Sequence, residues 1–193
     1  CIRDRDGPVE LELIEVFDKG SMLVTNMPSI ARAPSGDVVQ LISGGEHYIA
    51  ATSESEPLRL TAGIQLNVPT EATGSADPAM TLFRARTDTE PEPGWSEEMS
   101  SQAGTPAGRD DEALWVEEDA DRVGVRIIEG GGAAGTQYHT ISSAFGWTNI
   151  DRWYSDPRPK TSIHVTVPEG WDDSNSEVYL SYDGEPTALA RMD

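Results

Sequence analysis

Apolar and polar side chains alternate along most of this chain with a period of two residues. The clearest case is the segment 9–16, VELELIEV, in which glutamates punctuate the apolar positions. Successive side chains of a β-strand point to opposite faces of the sheet, so this pattern predicts a strand with one solvated face. Similar patterns predict further strands at 38–42, 47–51, 64–68, 80–85, 113–116, 123–128, 136–141, 163–167, 177–182 and 187–190.

Turn-forming residues separate these predicted strands. Examples are PSG at 34–36, SGG at 43–45 and YDG at 182–184. Short strands at this spacing, without long helical patterns between them, are typical of antiparallel sheets packed face to face. The sequence therefore predicts an all-β protein with an antiparallel β-sandwich architecture.

The segment 69–111 departs from the alternating pattern. It is rich in Pro, Gly, Ser, Thr and acidic residues, and one predicted strand at 80–85 interrupts it. This composition predicts two small β units, at 1–72 and 112–193, joined by a Pro/Gly-rich acidic linker or long loops at 73–111. The alternative is one continuous sandwich with long hairpin loops, and the pattern does not decide between the two.

The charge balance narrows the classes of partner. The chain of 193 residues carries 34 acidic and 14 basic residues, a net charge of −20. Such a field repels phosphate backbones and anionic lipid headgroups, which disfavours binding to nucleic acid or electrostatic docking on a membrane. No stretch approaches the roughly 18 apolar residues that a membrane-spanning helix needs.

The single cysteine is Cys1, so an intramolecular disulfide cannot form. Three interpretations stay open: an arbitrary boundary of the chain, the lipid-bearing residue of a mature bacterial lipoprotein, and a nucleophile exposed by self-cleavage. Lipid attachment at Cys1 explains both the lone cysteine and its position. It is also the only membrane contact that we expect.

The glycine-rich run 130–135, GGGAAG, fits the G-x-G-x-x-G spacing of dinucleotide-binding proteins. A predicted strand precedes it, but the β-branched and aromatic residues TQYHTI follow it where a dinucleotide site requires a helix. We therefore predict a hairpin turn at this position.

Other candidate sites consist of oxygen donors and isolated histidines. The three histidines have no zinc-ligand spacing, and no G-x-S-x-G nucleophile motif occurs. We expect a protein that is not an enzyme and has no cofactor, with calcium as the one candidate ion. Acidic turns offer oxygen ligands for calcium, with ordinary turn structure as the alternative interpretation, at Asp4, Asp6, Asp172 and Asp173.

Five tryptophans are numerous for a chain of this length, and exposed tryptophans can stack on sugar rings. Trp95 lies in a Pro/Gly-rich segment and is the candidate for an exposed glycan contact. Trp147 and Trp153 are expected in the core or at a corner of the sandwich.

The segment 145–154, FGWTNIDRWY, resembles a G-W-x-N-x-D-[KR]-[FW] signature of bacterial surface proteins and lipoproteins. In those proteins the upstream half resembles the β-domain shared by ankyrins, netrin receptors and tight-junction scaffolds. Here the segments 7–16, 22–27 and 41–49 resemble that half. The resemblance implies a β-sandwich of the cell envelope that serves attachment or assembly, with a protein partner or self-association, and it implies no catalytic residue.

Two features depart from that pattern. The opening strand usual before Gly7 is missing, which implies a first unit that is truncated or completed by another segment. The His-Phe-Ser step at which some eukaryotic relatives cleave themselves is also absent.

The signature residues also have a physical interpretation of their own, as a structural corner. Gly146 allows a tight bend before the strand and Trp147 buries a ring beside it. Asn149 and Asp151 can bond backbone groups in a turn. Arg152 is expected to pair with Asp151 or Asp156, and Trp153 completes the signature.

Overall fold

A computed structural model describes residues 7–33, 37–73, 75–85, 115–117, 124–129, 135–155, 157–159, 161–172 and 174–192. The strands in these ranges are β1 (Glu10–Val16), β2 (Ile30–Arg32), β3 (Val38–Ser53), β4 (Glu56–Pro57), β5 (Ile64–Pro69), β6 (Thr81–Ala85), β7 (Trp115–Glu117), β8 (Arg126–Glu129), β9 (Thr136–Ser142), β10 (Gly146–Trp153), β11 (Val178–Ser181) and β12 (Leu189–Met192). They also contain a short helix α1 (Lys19–Thr25) and a 3-10 helix (Thr70–Thr73).

The largest sheet has seven strands and is organised around the long strand β3. Its order is β1-β3-β10-β6-β7-β2, with β4 added to the end of β3. All pairings are antiparallel except that of β2 with β7. Because β2 also pairs with β3, the sheet curls back on itself. The paired strands form a closed ring in the order β3, β10, β6, β7 and β2.

Apolar side chains fill the inside of this curl. Met27, Ala31, Leu41 and Phe83 are fully buried there, and the half-buried rings of Trp147 and Trp153 pack against them. The Trp153 and Phe83 rings meet edge to face, 5.4 Å apart.

A second sheet, β5-β9-β8, packs on the outer face of the first. Tyr138 of β9 and Val68 of β5 contact Leu82 and Ile150 of the large sheet in one buried cluster. On the inner face, Met22 of α1 and Leu189 of the β11–β12 hairpin pack with Val16 of β1. The structure confirms the predicted all-β fold with antiparallel sheets packed against each other.

Strands from both halves of the chain share the large sheet. β3 lies within 1–72 and β10 within 112–193, and the two strands are hydrogen-bonded neighbours. β6, from the segment 73–111, pairs with β10 on its other side. This pairing favours the alternative of a continuous sandwich, while the boundaries at 72 and 111 remain predictions.

The structure corrects two local predictions. The tripeptide at 43–45 is not a turn, because β3 runs through it from Val38 to Ser53. The segment 163–167 is not a strand, and Ile163 and Val165 are exposed there. The hairpin turn predicted at 130–135 lies outside the described residues except for Gly135, and the flanking strands β8 and β9 pair antiparallel, with Glu129 opposite Thr136.

Helix α1 was not predicted from the sequence. Asp18 is its N-cap residue, and the carboxylate accepts hydrogen bonds from the backbone N–H and the hydroxyl of Ser21 at 3.0 and 2.8 Å. These bonds lower the pKa of Asp18 below its ordinary value. At the other end Asn26 adopts the left-handed conformation and closes the helix.

Candidate functional site

The signature residues of segment 146–153 form a central strand, and the interpretation of this segment as a corner is wrong. β10 lies between β3 and β6, with Gly146 at its start in a positive-φ conformation. Trp147 packs its ring 5.3 Å from the ring of Tyr48. Because residues two apart share a face of the strand, Asn149 and Asp151 both point to the inner face of the sheet.

Asn149 and Asp151 belong to a fully buried polar cluster, which we call the carboxyl cluster, together with Ser43 and Glu46 of β3. The Asn149 amide nitrogen donates to Asp151 Oδ2 at 2.5 Å and lies 3.4 Å from Glu46 Oε1. The Ser43 hydroxyl donates to the side-chain Oδ1 of Asn149 at 2.9 Å. One amide thus bridges two buried carboxyl groups, and the expected bonding of Asn149 to a turn backbone is replaced by side-chain contacts.

A β-bulge brings the two β3 residues to the same face. Asn149 pairs with Glu46 and Asp151 with Ser43, so two glycines of β3 lie opposite the single residue Ile150 of β10. Gly45 has a φ of +134°, which L side chains rarely adopt. A Cβ at Gly44 would lie 2.8 Å from the carbonyl oxygen of Ile150.

Burial raises the pKa of both carboxyl groups well above their ordinary values. The neighbouring charge of Asp151 raises the pKa of Glu46 further, whereas the nearby polar groups of Ser43 and the Gly44 backbone act to lower that of Asp151. Glu46 Oε2 and Asp151 Oδ1 are buried without a hydrogen-bond partner among the described residues. The cluster therefore retains a proton at pH values that ionise surface carboxyls.

The cluster is suited to a structural role. All four of its residues are 0% exposed, so a substrate cannot reach the carboxyl groups in this conformation. The adjacent His47 is also buried, and burial lowers its pKa to about 4 while a backbone bond to Gly45 works in the opposite direction. What the cluster can do is bind or release a proton at the centre of the sheet.

A different region presents a surface to solvent, formed by β1 and α1 and named here the β1–α1 surface. Leu11 and Leu13 are 67% and 54% exposed, and Val24 is 89% exposed. The remaining large apolar side chains exposed on these elements and their margins are Val9, Ile14 and Leu23. Leu11 and Leu13 lie on the face of β1 opposite to Val16, against which α1 packs, so the exposed apolar side chains line both sides of this edge. Several exposed apolar side chains on an edge strand and its adjoining helix favour an interaction site.

Acidic side chains accompany this apolar surface. Glu10, Glu12, Glu15 and Asp18 are all exposed. Lys19 is the one base between positions 9 and 25, and its Nζ bonds the Ser181 hydroxyl and the carbonyl oxygen of Tyr182. The β1–α1 surface is thus apolar and negatively charged.

Several predicted site residues lie outside the described ranges. These are the proposed lipid-attachment residue Cys1, the glycan candidate Trp95, and the calcium candidates Asp4, Asp6 and Asp173. The remaining calcium candidate, Asp172, accepts hydrogen bonds from the backbone and hydroxyl of Ser174. Across the described residues no group of three or more His, Cys, Asp or Glu could hold a metal ion.

Arg152 pairs with a residue that the sequence did not identify. Its Nε lies 2.7 Å from Asp77 Oδ2 in a partly exposed ion pair. Ser43 and Glu46 were also missed, although an acid inside the apolar run LISGGEHYIA is a signal of a buried polar group.

The sequence matches no protein-family model and no curated protein, and the fold matches no solved structure. Within the described residues, no helix has the length and apolar character required to cross a membrane.

Proposed function

We propose that this chain is a non-enzymatic β-sandwich module of the cell envelope whose role is association with another protein through the β1–α1 surface. The observation that carries the proposal is the concentration of exposed apolar side chains on two adjoining elements of an otherwise acidic protein. Covering such side chains contributes roughly 25 cal/mol per Å² of apolar surface removed from water. A partner that covers β1 and α1 therefore gains affinity without any rearrangement of the fold.

The envelope location is supported by the resemblance of the segment 145–154 to a signature of bacterial surface proteins. That resemblance also supports an assembly role, because it implies attachment and no catalytic residue. The buried position of Asn149 and Asp151 agrees with this role, since both side chains serve the sheet rather than a ligand.

A photo-crosslinking residue in place of Leu11, expressed in the organism that makes this protein, tests the proposal. Val165 is a matched control position, because it is also apolar and 51% exposed but lies outside the sheets. We expect a discrete crosslinked species from position 11 and none from position 165. Equal yields from positions 11 and 165 would contradict the proposal. The absence of a crosslinked product both from position 11 and from a second tested position, Val24, would also contradict it.

Glycan binding is the second candidate, and one exposed ring favours it. Trp171 is 56% exposed next to a turn at Gly170, where its indole face is accessible for stacking on a sugar. A glycan panel probed with the wild-type protein and Trp171→Ala tests this role. Binding that Trp171→Ala removes would support it, and a panel without binding would exclude it for those sugars.

A further inference from the structure

We infer that β1 accepts an added β-strand from its partner, and that this strand carries alternating apolar and basic side chains. The inference rests on the proposed association function and names the chemistry of the partner. It depends on three properties of β1: an edge position, two chemically different faces, and a strong negative charge.

β1 is the terminal strand of the large sheet in the described part of the chain, where it pairs with β3 alone. Its register with β3 is continuous from Glu10 opposite Thr52 to Val16 opposite Glu46, with no bulge. Proteins commonly block an edge strand with a proline, a lysine or a bulge, and β1 contains none of these. The regular outer edge is therefore a template for main-chain hydrogen bonds to another strand.

The two faces of β1 differ in chemistry over the segment 10–13. Leu11 and Leu13 lie on one face, opposite Ala51 and Ile49 of β3. Glu10 and Glu12 lie on the other face together with Ile14 and Val16, whereas Glu15 shares the face of the leucines. An added strand in register would extend the first face with apolar side chains and the second with side chains that neutralise the glutamates.

The charge of this region selects a basic strand. A second copy of this chain would bring another net charge of −20 and another set of β1 glutamates to the same edge. Like charges on neighbouring strands are destabilising, whereas opposite charges stabilise the pairing. The glutamates thus discourage self-association and attract a partner of opposite charge.

A groove beside the strand offers room for partner side chains. It has a volume of about 410 Å³, and its lining includes Ile14 and Val16 of β1 and Val24 and Thr25 of α1. An apolar side chain near the end of the added strand fits this mostly apolar space.

The experiment uses a synthetic nine-residue peptide with lysine and valine in alternation. A control peptide has the same composition with its valines grouped, so that it keeps the charge but loses the alternation. Titration measures affinity, and amide hydrogen exchange of the protein reports whether β1 gains protection. We expect the alternating peptide to bind more tightly than the control and to slow exchange of β1 amides.

Charge-reversal variants separate strand pairing from general attraction to an acidic protein. Reversal of Glu10 and Glu12 to lysine is expected to weaken binding about tenfold, since two favourable cross-strand pairs become repulsive. Glu169→Lys reverses one charge at an exposed turn position and is expected to leave the affinity within about twofold.

The possible results distinguish this inference from the proposed function. Equal binding of both peptides, or binding without protection of β1, overturns strand addition. Self-association that Leu11→Ser abolishes overturns the basic partner but keeps the association role. A crosslink from Leu11 in cells combined with no peptide binding likewise overturns only the partner chemistry, whereas failure of both experiments removes the proposed function as well.

Discussion

Replacement of Glu46 by glutamine tests the role assigned to the carboxyl cluster. Glutamine keeps the shape of the side chain but has no proton to lose, so it removes one of the two ionisable groups that Asn149 bridges. Burial in the folded state raises the pKa of Glu46 well above its ordinary value of 4.5, which applies to the unfolded chain. The protonated carboxyl therefore supports the fold fully below the unfolded pKa, and this contribution is lost as the pH rises through the folded pKa.

The magnitude follows from proton linkage. Between the two pKa values the folded state holds one proton that the unfolded state releases, which costs about 1.4 kcal/mol of stability for each pH unit. Glu46→Gln does not have this cost. Its free energy of unfolding should therefore rise relative to the wild type by about 1.4 kcal/mol per pH unit across that interval.

Urea denaturation of the two proteins at several pH values between about 5 and 8 provides the measurement. Glu169→Gln removes an exposed carboxyl and serves as the control, since its curve should run parallel to that of the wild type. If the Glu46→Gln and wild-type curves are also parallel, Glu46 is ionised in the folded protein and the reasoning fails.

Three further substitutions probe the packing around β3 and β10, each by urea denaturation. Gly44→Ala should lower the free energy of unfolding by about 1–3 kcal/mol, because the new methyl group would lie 2.8 Å from the Ile150 carbonyl oxygen. Unchanged stability would mean that the backbone shifts at no cost to make room for the methyl group. Tyr138→Phe should lower the free energy of unfolding by about 1–2 kcal/mol, since the Tyr138 hydroxyl accepts a hydrogen bond from the Asp77 backbone N–H at 2.9 Å. No loss would show that water replaces the hydroxyl as the acceptor. Arg152→Gln should lower the free energy of unfolding by less than about 1 kcal/mol, because the ion pair of Arg152 is partly exposed. A loss of several kcal/mol would show that this ion pair contributes more to stability than its exposure implies.

The alternation of side chains identified most strands because half-buried strands impose that pattern. It failed where pairing, rather than pattern, decides the structure. Residues 163–167 alternate as β1 does, yet Ile163 and Val165 remain exposed and the segment forms no strand. The glycines at 44 and 45 resemble a turn in the sequence, but the register with β10 absorbs them as a bulge within β3.

The candidate site was accessible to sequence analysis only in part. Asn149 and Asp151 were identified from a local motif, but Ser43 and Glu46 lie about a hundred residues away and meet them only through the β3–β10 register. The alternation of apolar and acidic residues at 9–16 predicted one solvent-exposed face for β1. It did not predict that the leucine face is exposed as well, because that depends on which other elements cover it.

The free energy of unfolding of the double variant Leu11→Ser, Leu13→Ser tests the central claim that these side chains serve a partner rather than the fold. Because both are more than half exposed, we predict a change within about 0.5 kcal/mol of the wild type. A loss above about 2 kcal/mol would show that Leu11 and Leu13 are buried within this chain in solution. That result would contradict the assignment of the β1–α1 surface as a site of association.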